Sequence, residues 1–322
     1  MEKRILVPLD GSLAAELAVP VVGRLARATG ASVVLLRTVA PPSEIEYGGS
    51  LLYSASAELA PTVHTELQSA QHYLREVVAS SDLAKVNTVI LTTVGNASAM
   101  IVATAKTRDI DLIVLGRHDE TDFTRRMREN VVQTVTRHAS VPVLVLSGKA
   151  HRDSLASLRD RPLRVLVPLD GSVVSEMALM PTMHLASALA APEHVALHLL
   201  RAMSTDTSCR EAQAYLASTA QGLLTGSALQ SNLEVTWSVV VGSDVVRTLI
   251  GIAEGREGSG DTHTPGGYDL IALATHGLLG FQLLRWGSVT ERLLTEAHLP
   301  IFIVRPGTVK EVGQFYGAYE NV

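Results

Sequence analysis

The chain is a tandem duplication, and this limits its fold more than any other feature of the sequence. Three segments of the first half return in the second half in the same order: RILVPLDGS at 4–12 as RVLVPLDGS at 164–172, DLIVLG at 111–116 as DLIALA at 269–274, and VPVLVL at 141–146 as LPIFIV at 299–304. The offsets are 160, 158 and 158 residues, so order and spacing are nearly kept. One unit has been duplicated, and the polar stretch 147–162 is the natural linker.

Each copy alternates short aliphatic runs with longer stretches of helical periodicity. This alternation predicts a parallel sheet with right-handed crossovers and helices on both faces. The predicted strands lie near residues 4–9, 32–38, 87–94, 111–115 and 141–146, then 164–169, 194–201, 233–241, 269–273 and 299–304. The predicted helices lie near 13–29, 58–80, 97–107 and 124–138, then 173–190, 207–227, 243–254 and 287–297, with Ser243 as an N-cap.

Composition agrees with this class of fold and excludes several functions. Hydrophobic residues make up 47% of the 322 residues and aromatic residues 4%, as expected for buried aliphatic strands. The net charge of −5, without blocks of like charge, gives no reason to expect nucleic acid or a membrane as a partner. The single cysteine, Cys209, excludes an internal disulfide. With no signal peptide and no run of ~18 apolar residues, a cytoplasmic location is expected.

Two insertions distinguish the copies. The first copy has extra chain near 41–57, which follows a strand and should lie at the carboxyl ends of the strands, where open α/β sheets bind ligands. The second copy has a glycine-rich insertion at 255–267, which precedes a strand. Because it lacks the G-x-x-x-x-G-K-[ST] spacing of a phosphate loop, we interpret it as a surface loop.

The segment Asp-Gly-Ser ends the first strand of each copy, at 10–12 and 170–172. In one interpretation Asp or Ser caps the next helix and Gly makes the turn. In the other, the carboxylate accepts hydrogen bonds from ribose hydroxyls, as acidic residues do at strand ends of α/β folds. The residues alone leave both interpretations open.

The segment ATHGLLGFQLLRWGSV at 274–289 follows the fourth strand of the second copy. Gly277 and the pair Gly287–Ser288 would open and close a loop that ends at a helix N-terminus. A glycine lets backbone N–H groups approach phosphate oxygens closely, and the helix start adds unpaired N–H donors and positive potential. The corresponding segment GRHDETDFTRRMRENV at 116–131 lacks these glycines.

These motifs resemble those of the universal stress protein family, in the subclass that binds ATP, over nearly the whole chain. The resemblance rests on VPLDGS at the first strand, DLI(A/V)L at the fourth and the aliphatic segments at the last. It implies that a G-x2-G-x9-G-[ST] motif holds the nucleotide, that Asp170 binds ribose, and that Pro168 and Ala202 lie beside adenine. Only Ala274, in place of the first glycine, departs from the motif. The predicted cofactor-binding residues are Pro168, Asp170, Ala202, Ala274, His276, Gly277, Gly287 and Ser288.

The first copy carries Gly116, Asp119, Glu129 and Asn130 at the positions of this motif. Two carboxylates would stand where polyphosphate should lie, with a repulsion on the order of 1–4 kcal/mol. We therefore expect no ATP there, although Asp10 leaves room for a nucleoside or an uncharged ligand.

Other conspicuous residues favour structural interpretations. His276 is expected to shape the loop rather than to act as an acid or base, since no acidic partner is evident. His194 and His198 lie four residues apart but have no third ligand, so a metal site is not predicted. Cys209 is interpreted as a packing residue, and the arginines at 125, 126 and 128 as part of a mixed-charge helix start.

The resemblance implies two tandem flavodoxin-like α/β domains of the adenine nucleotide alpha hydrolase-like type, each with a five-stranded parallel sheet of order 3-2-1-4-5. The predicted domain bounds are 1–148 and 163–306. Family dimers pair their last strands antiparallel, so Val141–Leu146 and Pro300–Val304 would pair within this chain as an intramolecular pseudo-dimer, and the whole chain could also form a homodimer.

The function implied is a nucleotide-dependent stress-response switch with one competent ATP site, in the second domain. Mg²⁺ would accompany ATP, and a protein partner is expected but not identified. One alternative is a slow ATPase or phosphotransfer enzyme, although Arg285 is the only cation in the loop and no lysine is present. The others are a scaffold that binds no nucleotide and a protein that binds a cyclic nucleotide.

Overall fold

The computed structural model describes residues 3–40, 56–79, 81–117, 123–147, 155–156, 161–204, 209–226, 232–256, 267–275 and 288–305. They belong to two compact units, which divide after Ala139. The α/β class and the alternation of strands and helices are as predicted.

The described part of the first unit contains four parallel strands in the spatial order β3-β2-β1-β4. Its central strands are almost fully buried, as aliphatic strands covered on both faces must be. Its elements are β1 (Arg4–Pro8), α1 (Leu13–Glu16), α2 (Ala18–Thr29), β2 (Ser32–Val39), α3 (Ser56–Ala79), a 3-10 turn (Ser81–Leu83), β3 (Thr88–Val94), α4 (Ala97–Thr107), β4 (Leu112–Arg117) and α5 (Phe123–His138).

Among its described residues, the second unit contains six strands in the order β5-β10-β9-β6-β7-β8. Strands β6 to β10 are mutually parallel and have the predicted order 3-2-1-4-5. Its elements are β5 (Val143–Ser147), β6 (Leu163–Pro168), α6 (Val173–Glu176), α7 (Leu179–Ala190), β7 (Val195–Met203), α8 (Cys209–Gly226), β8 (Leu233–Val241), α9 (Val245–Ala253), β9 (Leu270–Ala274), α10 (Ser288–Glu296) and β10 (Ile301–Val304).

Strand β5 ends the first sequence repeat yet is counted in the second compact unit. It pairs antiparallel with β10, with Val145 opposite Ile301, Leu144 opposite Phe302 and Val143 opposite Ile303. The predicted pairing of these two segments is confirmed. The domain bounds 1–148 and 163–306 describe the sequence repeat and stay a prediction.

Two helices predicted as continuous are each divided near their start. The predicted helix 13–29 breaks at Leu17, and the predicted helix 173–190 breaks after Glu176. Pro20 and Pro181 lie just inside the second segments. A proline has no N–H to donate and its ring opposes the carbonyl four residues earlier, so an unbroken helix cannot form there.

Residues Val173–Ala190 are the one candidate membrane span among the described residues. Their mean hydropathy is 1.2, and 56% of the stretch is buried inside the protein. Several of its apolar side chains, such as Met183 and Leu189, are fully buried, whereas Val173 and Met180 are exposed. Burial in the core accounts for this composition, so the stretch is weak evidence for a membrane span.

The N-cap of helix α9 differs from the predicted one. Its N-cap is Asp244 rather than Ser243, because the Asp244 side chain accepts hydrogen bonds from the N–H groups of Val246 and Arg247. The same carboxylate also pairs with Arg292 of α10, so Asp244 satisfies two helix N–H groups and a guanidinium at once.

Candidate functional site

The first unit has a cleft at the carboxyl ends of its strands. Its volume is about 230 Å³, and Pro8, Asp10, Thr38 and Gly116 all line it. These residues come from the ends of β1, β2 and β4, which are neighbours in the sheet. Open α/β sheets bind ligands at this edge, so the cleft lies where the fold predicts a site.

The predicted site of the second unit has the same arrangement of backbone positions. Pro168 ends β6 and pairs with Leu200 of β7, two residues before Ala202, as Pro8 pairs with Leu36, two residues before Thr38. Ala274 ends β9, the strand on the other side of β6. The structure therefore brings Pro168, Ala202 and Ala274 together, at positions equivalent to three residues of the first cleft.

The Asp-Gly-Ser turns are nearly identical in the two units. Ser172 N–H and Ser172 Oγ donate to Asp170 Oδ1 at 2.9 and 2.6 Å, and the Asp10–Ser12 distances are 2.9 and 2.5 Å. Ser12 and Ser172 are the helix N-caps, while both aspartates are exposed. The capping interpretation thus applies to the serines, and each aspartate stands outside the helix at the edge where a ligand would bind.

The rest of the predicted phosphate site is only partly described. Ser288 is exposed and begins α10, at the helix start where unpaired N–H groups lie. His276, Gly277 and Gly287 lie outside the described residues, so their placement stays a prediction. In the first unit Asp119 is also outside them, and the side chains of Glu129 and Asn130 are not described.

A buried polar atom marks the point where the chain leaves β9. Thr275 is 2% exposed, and within the described part of the chain its Oγ1 has no hydrogen-bond partner. An unsatisfied buried hydroxyl costs free energy unless a partner is supplied. This atom immediately precedes the predicted loop, so a polar ligand or the loop itself could satisfy it.

The glycine of the first unit's motif is required by helix packing rather than by phosphate. A Cβ on Gly116 would lie 1.9 Å from the carbonyl oxygen of Ala14 in α1. The second unit has Ala274 at this position, half-buried at the end of β9. The alanine at position 274 therefore affects how closely α6 can approach β9. Gly277 and Gly287 remain the glycines expected to face phosphate.

An arginine over each Asp-Gly-Ser turn was missed from sequence. The Nη1 atom of Arg37 lies 2.6 Å from where a Cβ on Gly11 would be, and Arg201 has the same distance to Gly171. Both glycines have positive φ, +83° and +84°. A side chain at either glycine would be strained by this φ, and the end of the arginine would have to shift to make room for a Cβ.

Each of these arginines packs on a tyrosine from a helix. Arg37 Cζ lies 4.7 Å from the ring centroid of Tyr73, whose hydroxyl donates to Glu16 at 2.8 Å. Arg201 Cζ lies 5.7 Å from the Tyr215 ring. Burial raises the pKa of Tyr215 to about 12, and the nearby Glu176 carboxylate acts in the same direction. The repeated Leu-Leu-Arg at 35–37 and 199–201 is the sequence signal that could have identified this cluster.

Asp244 and Arg292 connect α9 and α10, the helices that precede and follow β9 in the sequence. Two hydrogen bonds of 2.9 Å connect the guanidinium to the carboxylate, and Arg292 also donates to Glu296 at 2.7 Å. Hydrogen bonding from Arg292 lowers the pKa of Asp244 to about 2. Arg292 lies one turn after Ser288, so this pair fixes the helix whose start is expected to face phosphate.

His198 is part of the core of the second unit. Its Nδ1 and Nε2 each lie 2.8 Å from a hydroxyl oxygen, of Thr236 and Ser238 respectively. Burial lowers its pKa to about 4, so the ring is neutral near pH 7. Both ring nitrogens are used by these hydroxyls. Within the described residues no group of three His, Cys, Asp or Glu side chains could hold a metal ion.

The comparisons with known proteins agree with this fold. The family model described as "Universal stress protein family" matches residues 1–147 and 163–305. A universal stress protein from Archaeoglobus fulgidus DSM 4304 is 16% identical, with 94% of this chain and 98% of that chain covered and a TM-score of 0.66. A putative universal stress protein from Pseudomonas aeruginosa UCBPP-PA14 is 14% identical, with 98% and 97% covered and a TM-score of 0.58.

A universal stress protein solved in complex with cAMP is 20% identical over 44% of this chain and 94% of its own, with a TM-score of 0.31. Among curated proteins, none matches the sequence.

Proposed function

The chain belongs to the universal stress protein family, and on that premise we propose that it is an ATP-binding stress-response protein whose competent nucleotide site lies in the second unit. The observation that carries the proposal is the meeting of Pro168, Ala202 and Ala274 at three neighbouring strand ends, beside the exposed Asp170. The same frame surrounds an open cleft in the first unit.

Each residue has a role that follows from its chemistry. The Asp170 carboxylate accepts hydrogen bonds from the ribose hydroxyls, and Pro168 and Ala202 provide apolar contact for adenine. The backbone at Gly277 and Gly287, the N–H groups at the start of α10 and the Ser288 hydroxyl bind phosphate oxygens. Mg²⁺ bound to ATP would neutralise part of the phosphate charge. The Asp244–Arg292 pair holds α10 in place rather than contacting the nucleotide.

The wider setting is also part of the proposal. We expect binding to alter contacts with a protein partner, so that the chain acts as a switch in the cytoplasm rather than as an enzyme. The two domains are proposed to act as an intramolecular pair, and the antiparallel pairing of β5 with β10 supports this.

The proposal is tested by calorimetric titration of the nucleotide-free, full-length protein with Mg-ATP. We expect one ATP per chain. Asp170→Ala should weaken binding roughly ten-fold or more, because a charge-assisted hydrogen bond is lost. Asp10→Ala is the matched control, since it removes the same carboxylate from the same turn in the other unit. Gly277→Arg should abolish binding, because a side chain would fill the phosphate position.

The other outcomes select among the alternatives. Two ATP molecules per chain would contradict the expected loss of the site in the first unit. Equal effects of Asp170→Ala and Asp10→Ala would place the site elsewhere. Steady release of phosphate from purified protein would make it a slow ATPase, and binding of cyclic AMP alone would make it a cyclic-nucleotide protein. If the protein binds none of ATP, ADP, AMP and cyclic AMP, the remaining interpretation is a scaffold that binds no nucleotide.

A further inference from the structure

The cleft of the first unit contains a buried cation at a position that is neutral in the second unit. Arg117 is the last residue of β4, lines the cleft and is 9% exposed. The equivalent position in the repeat is Thr275, which follows Ala274 as Arg117 follows Gly116. The two clefts therefore share a backbone frame but differ in the charge beside it.

The alternation of β4 determines which way Arg117 faces. Gly116 faces α1, where the Ala14 backbone leaves no room for a Cβ. Leu115 and Arg117 face the opposite side of the sheet, and both line the cleft together with Ile101 of α4. Arg117 thus lines the cleft beside aliphatic residues, and its side chain is largely buried.

Two further polar groups line the same cleft. Asp10 lies at the end of β1, and Thr38 near the end of β2. A cation, a carboxylate and a hydroxyl set into an aliphatic lining are typical of a small-molecule site, where apolar walls provide contact area and a few polar groups fix orientation. An anionic group suits Arg117, and a hydrogen-bond donor suits Asp10.

Size restricts the ligand further. The cleft volume of about 230 Å³ is below the roughly 300–1,000 Å³ that is usual for drug-sized ligands. The cleft therefore suits a ligand smaller than a nucleoside triphosphate, whose three phosphates would also exceed the charge of one guanidinium. A guanidinium has five N–H donors in a planar fork, so it can bind a carboxylate through two of them while keeping a protein partner.

We propose that the first unit binds a small organic acid whose carboxylate is held by Arg117, whose apolar body lies against Leu115 and Ile101, and whose hydroxyl donates to Asp10. This site is separate from the ATP site of the second unit. The two proposals can fail independently, because they concern different units and different ligands.

The first experiment compares acids with their amides on the unaltered full-length protein. The probes are benzoate, benzamide, 4-hydroxybenzoate and 4-hydroxybenzamide, and the signal is the δ1-methyl resonance of Ile101 in an isoleucine-labelled sample. Both acids should shift this resonance saturably, and each should bind about ten-fold or more tightly than its amide, because only the acid pairs with a buried cation. The hydroxyl compound should bind more tightly than benzoate.

The second experiment uses variants. Arg117→Met keeps the length and apolar stem but removes the cation, so affinity for the acids should fall to that for the amides. Thr275→Val is the matched control at the equivalent position of the second unit, and it should leave all four affinities unchanged. Asp10→Ala should remove only the preference for the hydroxyl compounds. Thermal unfolding of each variant checks that it is folded.

Three results would overturn the proposal. The first is no response of Ile101 to any probe. The second is equal affinity for acid and amide in the unaltered protein, a comparison that does not depend on whether Arg117→Met folds. The third is a shift of the Ile101 resonance by Mg-ATP, which would make this cleft a nucleotide site instead.

Discussion

At the scale of single residues, the two clefts show how a common frame can be given different chemistry. Asp10 and Asp170 make the same hydrogen bonds to a serine two residues later. The difference between the units lies at the next strand end, where one has Arg117 and the other Thr275. The charge at this one position separates the site proposed for a small anion from the one in which the proposed phosphate contacts are backbone N–H groups and Ser288.

Gly116→Ala is expected to destabilise the first unit. The added methyl would lie 1.9 Å from the Ala14 carbonyl oxygen, so α1 must move, at a cost of about 1–3 kcal/mol in the free energy of unfolding. Chemical denaturation measures the change. Gly222→Ala is the control: among the described residues no atom outside its own helix backbone lies within 4 Å of the added Cβ, and inside α8 it should stabilise by roughly 0.5–1 kcal/mol. A neutral Gly116→Ala would contradict this packing.

His198 is expected to make the protein sensitive to acid. Its pKa is about 4 in the fold and about 6.5 when unfolded, so the unfolded state takes up the proton first. The loss of stability caused by this lowered pKa is absent above pH 6.5. It grows as the pH falls towards 4, where it reaches roughly 3 kcal/mol in the free energy of unfolding. The His198 ring also lies 5.7 Å from the ring of Tyr268.

Urea denaturation at pH 7 and pH 5 measures this effect. His198→Gln should lower stability at pH 7 but flatten its pH dependence over this interval. His64→Gln, at an exposed histidine of α3, is the control for removing an imidazole from the surface. An unaltered slope in His198→Gln would show that other groups cause the acid sensitivity.

In the first unit, the strand position equivalent to His198 is Val34, so this polar cluster belongs to one copy.

At the residue scale, the sequence predicted those features that depend on residues close together in the chain. The Asp-Gly-Ser turns and the strand-end positions of Pro168 and Ala202 follow from local patterns. The repeated Leu-Leu-Arg marks Arg37 and Arg201, but their tyrosine partners were not recognised, because they lie 36 and 14 residues away, respectively, on a helix. Spacings that differ so much between copies conceal a contact of the same kind in both units.

At the scale of elements, the boundaries agree with the hydrophobic pattern except where proline or a cap decides them. Sequence periodicity carried through Leu17 and Met177, whereas Pro20 and Pro181 interrupt the backbone hydrogen bonds. The N-cap of α9 was misplaced by one residue, because Ser243 and Asp244 are both favoured cap residues and it is Asp244 that accepts from the N–H groups of Val246 and Arg247.

The pairing of Asp244 with Arg292 is expected to couple α9 and α10. Asp244→Asn and Arg292→Gln should each lower the thermal midpoint, and the double variant should lose less than the sum, because both remove one interaction. Arg247→Gln, one turn into α9, is a control of similar charge change. Strict additivity would mean that the pair contributes nothing.

The contribution of the Asp244–Arg292 pair to stability should change with pH over a defined interval. The pKa of Asp244 is lowered to about 2, so its contribution is complete above pH 3.8 and is lost as the pH falls towards 2. The difference in thermal midpoint between the unaltered protein and Arg292→Gln should therefore shrink between pH 4 and pH 2.

At the scale of the whole molecule, the repeat in the sequence and the compact units of the structure do not coincide. β5 belongs to the first repeat by sequence and to the second unit by contact. The α/β class and the strand order of the second unit followed from the sequence, with the order coming from the family resemblance. The assignment of β5 could not be derived from local pattern, because a buried aliphatic strand reads the same whichever neighbour it pairs with.

Phe302→Ala is expected to loosen β5 as well as β10. Phe302 is 2% exposed and lies opposite Leu144, so its loss should cost about 3–5 kcal/mol and weaken the antiparallel pairing. Native-state hydrogen exchange should show faster exchange at 143–147. Val33→Ala in β2, a buried aliphatic residue of the first unit, should leave those amides unchanged. Unchanged protection of 143–147 in Phe302→Ala would contradict the pairing.

The tandem arrangement has an evolutionary consequence. In an assembly of identical chains, every mutation is introduced into all copies of a site at once, so a change that favours one ligand is imposed on each of them. Joining two copies in one gene removes that constraint, and each copy is then selected separately. Arg117 and Thr275, the polar cluster around His198 and the glycines after Ala274 are differences that such independent selection allows within one chain.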